Sequence, residues 1–456
     1  MNAFTRRSLL ASSLSIPTLL SAQSSGAAAP SSQAPNVMVI ILDDLGVTDL
    51  GYLGASHMKT PYIDALAKNG AVFTNWYSNA PVCAPSRASV MSGRYPARAG
   101  VPSNGGELTA GMPCLGSLFK GAGYRTAAIG KWHLGLSANT HPNAHGFDYF
   151  YGFLNGCIDY YSHRFYWGEP RRANFHDLWR NREEIFEDGR YFTERITEET
   201  VTFLDSVKGQ RFCAYIAQNA PHYPMHAPDK YTARFAHLPL EQRLYAAMVS
   251  AVDDSVGAIT EALRRNGQLD NTLLIFVGDN GATTEKRAGQ GQQYATAGSN
   301  GKFRGFKFSV FDGGTHVPCV VHWPARVKPR SLSQLAQSMD ILPTVLDATG
   351  IQAPEGMDGY SLMPALLQDA PSPHKELYWF NQGQLAVRRG PWKLVIDGKD
   401  FDRRSEGNQA LTGEDALFLS NLDEDPGETR NLRRAHPNLV DELVTLAKRW
   451  HSQQPQ

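Results

Sequence analysis

The sequence predicts an α/β protein: a large, mostly parallel sheet between helices, followed by a smaller antiparallel sheet. Three observations carry that expectation. Short unbroken apolar runs recur, as in 36–42, 124–129, 212–217 and 272–277, and such runs suit strands buried on both faces. Helix-periodic stretches lie between them, the signature of strands joined by crossover helices. After about Tyr360 the pattern changes to alternation around turn residues, which suits hairpins.

Each element has its own sequence reason. Residues 1–30 hold Arg6-Arg7, an apolar run to Leu20 and a small-residue stretch ending in Ala27-Ala28-Ala29. That is the layout of a cleaved export signal. Thr5 before the arginine pair resembles a twin-arginine signal, with an ordinary secretory signal as the alternative. The mature protein is therefore expected to be periplasmic or secreted. The run is too short and serine-broken to span a membrane, and no other stretch approaches a span. Residues 193–207 place Ile196, Val201, Leu204 and Val207 near one helix face, and Gly209 can stop that helix. A second, longer helix is expected over 244–265, closed by Asn266-Gly267. In the last part, Tyr378-Trp-Phe and 384–396 read as hairpin strands around Gly390-Pro391, and 397–415 as a surface loop. Ala416-Leu-Phe-Leu follows, and 439–450 reads as an amphipathic helix.

A chain of 456 residues suggests about three domains at ~150 each. Without the signal, this reduces to a catalytic domain over 36–360 and a smaller α+β unit over 361–456. Lys plus Arg number 44 and Asp plus Glu 44, so no basic excess points to a nucleic-acid partner. Hydrophobic residues at 42% exclude a disordered chain. Five cysteines are an odd count, so at least one is unpaired. Cys213 and Cys319 lie within strand-like runs and suit buried packing. Cys114 and Cys157 could pair in an oxidising compartment, although nothing in their spacing favours it.

Every apolar run ends in reactive side chains. Asp43-Asp44 follows the first, Gly130-Lys131-Trp132-His133 the second, Pro221-His222 the third and Gly278-Asp279-Asn280-Gly281 the fourth. Ligands of open α/β sheets bind beyond the carboxyl ends of the strands, so these ends predict one shared site. Carboxylates gathered there repel unless a cation lies among them. Three carboxylates and an amide suit Ca²⁺ or Mg²⁺, since no thiolate or imidazole cluster competes. On spacing alone, a capped turn at Asp43-Asp44 and a tight turn at 279–281 fit equally well.

Residues 81–95 read Pro-Val-Cys-Ala-Pro-Ser-Arg-Ala-Ser-Val-Met-Ser-Gly-Arg-Tyr. At ~5% per residue type, Cys83, Pro85, Ser86 and Arg87 would coincide by chance in roughly 0.3% of chains this long. With the downstream segments Gly130–Gly135, Gly146-Phe147-Asp148 and 423–432, this strongly resembles the type I sulfatases of the alkaline phosphatase-like superfamily. The resemblance implies that superfamily's fold, and oxidation of Cys83 to formylglycine by a formylglycine-generating enzyme. It implies a divalent cation, with Ca²⁺ favoured over Mg²⁺, on Asp43, Asp44, modified Cys83, Asp279 and Asn280. It also implies sulfate binding and proton transfer by Arg87, Lys131, His133, His222 and Lys307. One departure occurs in 311–318: the family commonly reads Glu-Gly-Gly-x-Arg, where this chain has Asp312 and His316. Support for the loop beside Lys307 is thereby left open.

The chemistry explains the residue types. A sulfate monoester is anionic, and carboxylates alone would repel it. A cation inverts that field, while Arg87, Lys131, Lys307 and a helix start after Cys83 add anion-favouring groups. One hydroxyl of hydrated formylglycine attacks sulfur, and the second lets the adduct collapse to aldehyde and free sulfate. His222 with Lys307 are the candidates to protonate the leaving group, His133 to take the second proton, and Asp279 to act as base for the first attack. The expected substrate is an aryl or carbohydrate sulfate. A phosphonate monoester or phosphodiester hydrolase and an inactive sulfated-glycan binder are the competing readings. His163, Arg164, His226 and His316 lie near the motif segments, where facing a leaving group and packing within a loop both stay open.

Overall fold

The computed structural model describes residues 34–166, 174–401 and 409–455. The export signal expected over 1–30 lies outside them. The chain builds its large sheet from β1 (Asn36–Leu42), β2 (Ala71–Phe73), β3 (Arg125–Lys131), β4 (Tyr149–Phe153), β5 (Trp179–Arg180), β6 (Glu183–Glu184), β7 (Phe212–Ala217), β8 (Thr272–Gly278), β9 (Cys319–His322) and β10 (Arg330–Leu332). Across the sheet the order is β10-β2-β9-β8-β1-β7-β3-β4-β5-β6. The central five, β8 to β4, are parallel, whereas β9 runs antiparallel to both neighbours. The sheet is thus mixed and mostly parallel, as expected.

Register matters most for function. Leu42 pairs with Gly278, Ile41 with Ala217, and Gly130 with Ala217. The strand ends are therefore flush, and Asp43, Lys131 and Asp279 emerge along one edge. Alternation within β1 serves two cores. Met38, Ile40 and Leu42 pack with α1 (Pro61–Lys68) and with two long helices described below. Val37, Val39 and Ile41 pack with α2 (Cys83–Ser92), α3 (Leu115–Gly121) and Ile341–Thr349. At ~1.5–3 kcal/mol per buried aliphatic side chain, this double cover makes the sheet a stiff platform.

The long helices on the first face are α4 (Phe192–Ser206) and α5 (Leu240–Arg265). The first matches expectation within one residue. The second starts a turn earlier than expected, because residues 240–243 contain no buried side chain and so carry no apolar period. Gly130 shows why strand contact needs that residue: at φ 109°, a Cβ there would lie 1.9 Å from the Ala217 carbonyl oxygen.

The smaller sheet is a meander of Glu376–Asn381, Gln384–Arg389, Trp392–Ile396 and Leu417–Asn421. One face carries the terminal helix Pro437–Ser452 through Val440, Leu443 and Ala447. The other sets Leu377, Trp379, Ala386 and Val395 against Tyr77, Val310 and Phe311 of the larger unit. Leu362, Met363 and Leu366 pack in the large unit's core, and the smaller sheet's first strand begins at Glu376. All five cysteines are buried free thiols, so no Cys114–Cys157 disulfide is present. No helix of the described residues is long and apolar enough to cross a membrane.

Candidate active site

Asp43 and Asp44 leave β1 at its carboxyl end, and Asp44 takes a left-handed conformation at φ 60°, which Asp tolerates better than most residues. Asp279 and Asn280 leave β8 beside them. Their turn stays close to the chain at 313–314, where a Cβ on Gly281 would lie 1.9 Å from the Gly313 carbonyl oxygen. Cys83 is the first residue of α2, and its Sγ lies 3.2 Å from Asp43 Oδ1. The helix start is the expected one, and its N-terminal end faces the strand ends.

The charged groups interlock. Lys131 Nζ lies 2.6 Å from Asp43 Oδ2, and Lys307 Nζ 2.9 Å from Asp44 Oδ2 and 3.2 Å from Glu285 Oε2. Arg87 donates through Nε and Nη2 to Asp279 Oδ2 at 3.0 and 2.8 Å. The Asp44 N–H donates to Asp279 Oδ1 at 3.2 Å, and Asn280 Nδ2 to Asp44 Oδ1 at 2.7 Å. Asp43, Asp44, Arg87, Lys131, Asp279 and Lys307 are all buried. Burial alone would raise Asp43, but Lys131, His222 and Arg87 outweigh it and hold its carboxyl well below the usual range. Burial and the Asp43 charge push Asp279 upward. Burial, then Asp43, also push the Cys83 thiol up.

The histidines are set by single contacts. His222 Nδ1 lies 2.7 Å from the Tyr223 carbonyl oxygen. A carbonyl only accepts, so Nδ1 carries the proton and Nε2, 3.6 Å from Asp44 Oδ2, presents its lone pair to the site. Burial lowers His222 to about 4. His133 sits at φ 56° with a buried Nδ1 that has no hydrogen-bond partner among the described residues, and burial with Lys131 lowers it as well. Its ring fits because position 156 is glycine: a Cβ there would lie 2.8 Å from Nε2.

The donor set fits a hard cation. Asn280 Oδ1 is a buried acceptor without a partner among the described residues, and the carboxylates beside it are compensated only by fixed side-chain cations. Ligand atoms of Asp43, Asp44, Cys83 and His222 lie within 4.8 Å of one another. Asp279 is not one of these four: its Oδ1 accepts from the Asp44 N–H and its Oδ2 is turned toward Arg87.

A cavity of about 410 Å³ opens above this floor. Of the expected residues, Cys83, His133, His222 and Lys307 line it, while Arg87 and Lys131 lie beneath. His163, Arg164, His226 and His316 do not line it. Sequence reasoning passed over Glu285, which pairs with Lys307, and Asn104, which accepts from the Ala84 N–H at 3.1 Å. It also passed over Arg287, Asn155 and Tyr223 on the cavity wall. Only proximity to Lys307 in space distinguishes Glu285, so no spacing in the chain could reveal it.

The departures Asp312 and His316 resolve away from the site. Asp312 Oδ2 accepts from the Tyr77 hydroxyl at 2.7 Å and Oδ1 lies 2.6 Å from Lys393 Nζ, at the junction with the smaller sheet. Lys307 keeps its place without them, its N–H donating to the Ala282 carbonyl at 2.9 Å.

Residues 35–351 match the family model described as Sulfatase, and 301–451 match that described as N-sulphoglucosamine sulphohydrolase, C-terminal. The chain belongs to the sulfatase family. Among curated relatives, the uncharacterized sulfatase YdeN of Escherichia coli is 34% identical over 76% of this chain and 68% of its own length. The N-acetylgalactosamine-6-sulfatase of Sus scrofa is 31% identical over 92% of this chain and 86% of its own. Among solved structures, Ps i-CgsB in complex with k-i-k-neocarrahexaose has a TM-score of 0.79 at 30% identity, covering 93% of this chain and 94% of that one. This sulfatase is accordingly a sulfuric ester hydrolase of the alkaline phosphatase-like superfamily.

Proposed function

We propose that this sulfatase removes sulfate from a carbohydrate monoester, with Cys83 converted to formylglycine and Ca²⁺ held by Asp43, Asp44, Asp279 and Asn280. The cavity wall carries the reading. Asn104, Glu107, Asn155, His222 and Arg287 present amides and charged groups to the bound molecule, with Phe165 and Tyr223 as the aromatic surfaces. Such a lining suits the hydroxyls and one face of a sugar ring better than an aryl leaving group alone. A relative named N-acetylgalactosamine-6-sulfatase and a neighbour solved with k-i-k-neocarrahexaose support the same class.

Hydrated formylglycine supplies the nucleophilic hydroxyl, and Ca²⁺ supplies positive charge for the sulfate oxygens. The chain's own residues do the remainder. Lys131 holds Asp43 ionised, and Lys131 and Arg87 fix Asp43 and Asp279 in place beneath position 83. Lys307, an ammonium on the cavity wall, carries a proton for the departing oxygen. His222 is oriented beside it by Tyr223, and His133 offers an unpartnered imidazole nitrogen to the proton that must leave the second hydroxyl.

We further propose twin-arginine export, which a variant carrying Arg6→Lys and Arg7→Lys should block. The main test compares sulfate release from N-acetylgalactosamine 6-sulfate, nitrophenyl sulfate and a matched phosphonate ester. Preference for the sugar sulfate is expected, and a clear phosphonate preference would overturn the assignment. Mass spectrometry of the Cys83 peptide should show the aldehyde; a persistent thiol in active protein would remove formylglycine from the mechanism.

A further inference from the structure

Away from the cavity floor, a second set of ligating side chains converges without any role in the chemistry above. His163, His176 and Asp188 bring one ring nitrogen each and a carboxylate oxygen within 4.8 Å of one another. The free nitrogens are His163 Nδ1 and His176 Nε2, both buried and both without a hydrogen-bond partner among the described residues. His163 is fully buried, and the His176 side chain is only 4% exposed. Two buried imidazole nitrogens without partners are costly unless something binds them.

The opposite nitrogens explain the arrangement. His163 Nε2 lies 3.0 Å from the Arg190 carbonyl oxygen, so it is the protonated nitrogen and Nδ1 carries the lone pair. His176 Nδ1 lies 3.0 Å from Glu184 Oε1, which likewise leaves Nε2 as a lone pair. A carboxylate or carbonyl behind each ring is the usual outer support of histidines that bind metal. Packing fixes the ring planes: His176 stacks on Phe186 with centroids 4.2 Å apart, and His163 meets Phe192 edge-on at 5.7 Å.

We propose that His163, His176 and Asp188 form a second cation site, specific for a Zn²⁺-like ion. Imidazole nitrogens select borderline transition ions, whereas the carboxylates beneath the cavity, although joined there by Cys83 and His222, favour a hard cation. Tetrahedral Zn²⁺ with ligands at ~2.0–2.1 Å places them ~3.3 Å apart. Asp188 is exposed and can turn toward the ion, and the two rings must approach by a small side-chain adjustment. The ion would clamp two stretches already in register. The Asp177 N–H donates to the His163 carbonyl at 2.9 Å, and the Gly189 N–H to the Tyr161 carbonyl at 2.8 Å. The clamped segment leads into Phe165 on the cavity wall, so the ion braces that wall and takes no part in bond breaking.

The test uses full-length protein in Ca²⁺ buffer, titrated with Zn²⁺ and then freed of excess before metal analysis. Wild type is expected to retain one Zn²⁺ per chain. Asp188→Asn, at an exposed position, and His176→Gln should lose it, and Glu184→Ala should weaken retention by about 10–100-fold. Cys83→Ser should retain it as wild type does. Hydrogen exchange across 158–166 and 174–188 should slow on Zn²⁺ addition in wild type only. The site is overturned if wild type retains no Zn²⁺, if Asp188→Asn and His176→Gln both retain it undiminished, or if Cys83→Ser alone abolishes retention.

Discussion

Beneath the cavity and at the junction of the two sheets lie two buried charge clusters of matching composition. The junction cluster joins Tyr77, Asp312, Arg388, Lys393 and Glu428. Its acids and bases balance one for one: Lys393 Nζ lies 2.6 Å from Asp312 and 3.5 Å from Glu428, and Arg388 reaches the Tyr77 hydroxyl. None of these five lines the cavity that opens onto Cys83, His133, His222 and Lys307. The floor of the site pairs its ions as well, Lys131 with Asp43, Lys307 with Asp44 and Arg87 with Asp279, but it does so beneath that cavity and beside the unpartnered acceptor Asn280 Oδ1. Buried ions are tolerable when they are matched, and a matched set can serve a bound ion or substrate only where a cavity reaches it. The contrast separates a fastening from a catalytic centre.

That contrast can be broken by substitution, and the largest effect belongs to the cavity. Cys83→Ala is expected to lower kcat by at least about 1,000-fold, and Lys307→Ala by about 100–10,000-fold, with unchanged circular dichroism. Initial rates of sulfate release measure both, and near-native turnover in either variant would refute the assigned role. Chelation of the cation should act on the same cluster alone. Activity is expected to vanish in EGTA and return with Ca²⁺, while the junction keeps the unfolding midpoint of the smaller unit unaltered. Lys393→Met reverses the pattern. It strands two buried carboxylates, so denaturant unfolding should show a loss of about 3–5 kcal/mol, with kcat of the folded molecules preserved.

The two clusters also differ in how far the chain revealed them. The strand ends were readable because each apolar run passes directly into its reactive residues, and parallel pairing must bring such ends to one edge. Asp43, Lys131, His222 and Asp279 are local to their strands, so spacing located them. The junction has no such marker. Lys393 and Glu428 lie within ordinary strand and turn sequence, and they meet Asp312 only through packing of one sheet against another. For that reason Asp312 and His316 read as departures in a catalytic loop, whereas they belong to the fastening. The early start of α5 was hidden for a related reason: an exposed turn carries no apolar period.

The smallest effect sharpens the comparison through pH. His316 lies at the edge of the junction, with Nε2 2.9 Å from the Thr74 carbonyl oxygen and its ring stacked on Tyr77. Burial lowers it to about 4, against opposition from Asp312, so the folded protein holds it neutral. The unfolded chain binds that proton below about 6.5 and the folded one only below about 4, so acidification through this window favours unfolding. The contribution is fully present above about 6.5 and is lost progressively toward 4, with a ceiling on the order of 3 kcal/mol. His222, lowered likewise to about 4, adds a parallel loss at the site. His316→Gln keeps an N–H for Thr74 and abolishes one titration. Urea midpoints at pH 7 and pH 5 should therefore lie closer together in this variant than in wild type. An unchanged gap would show that His316 contributes nothing to the acid response and that His222 and other groups carry it.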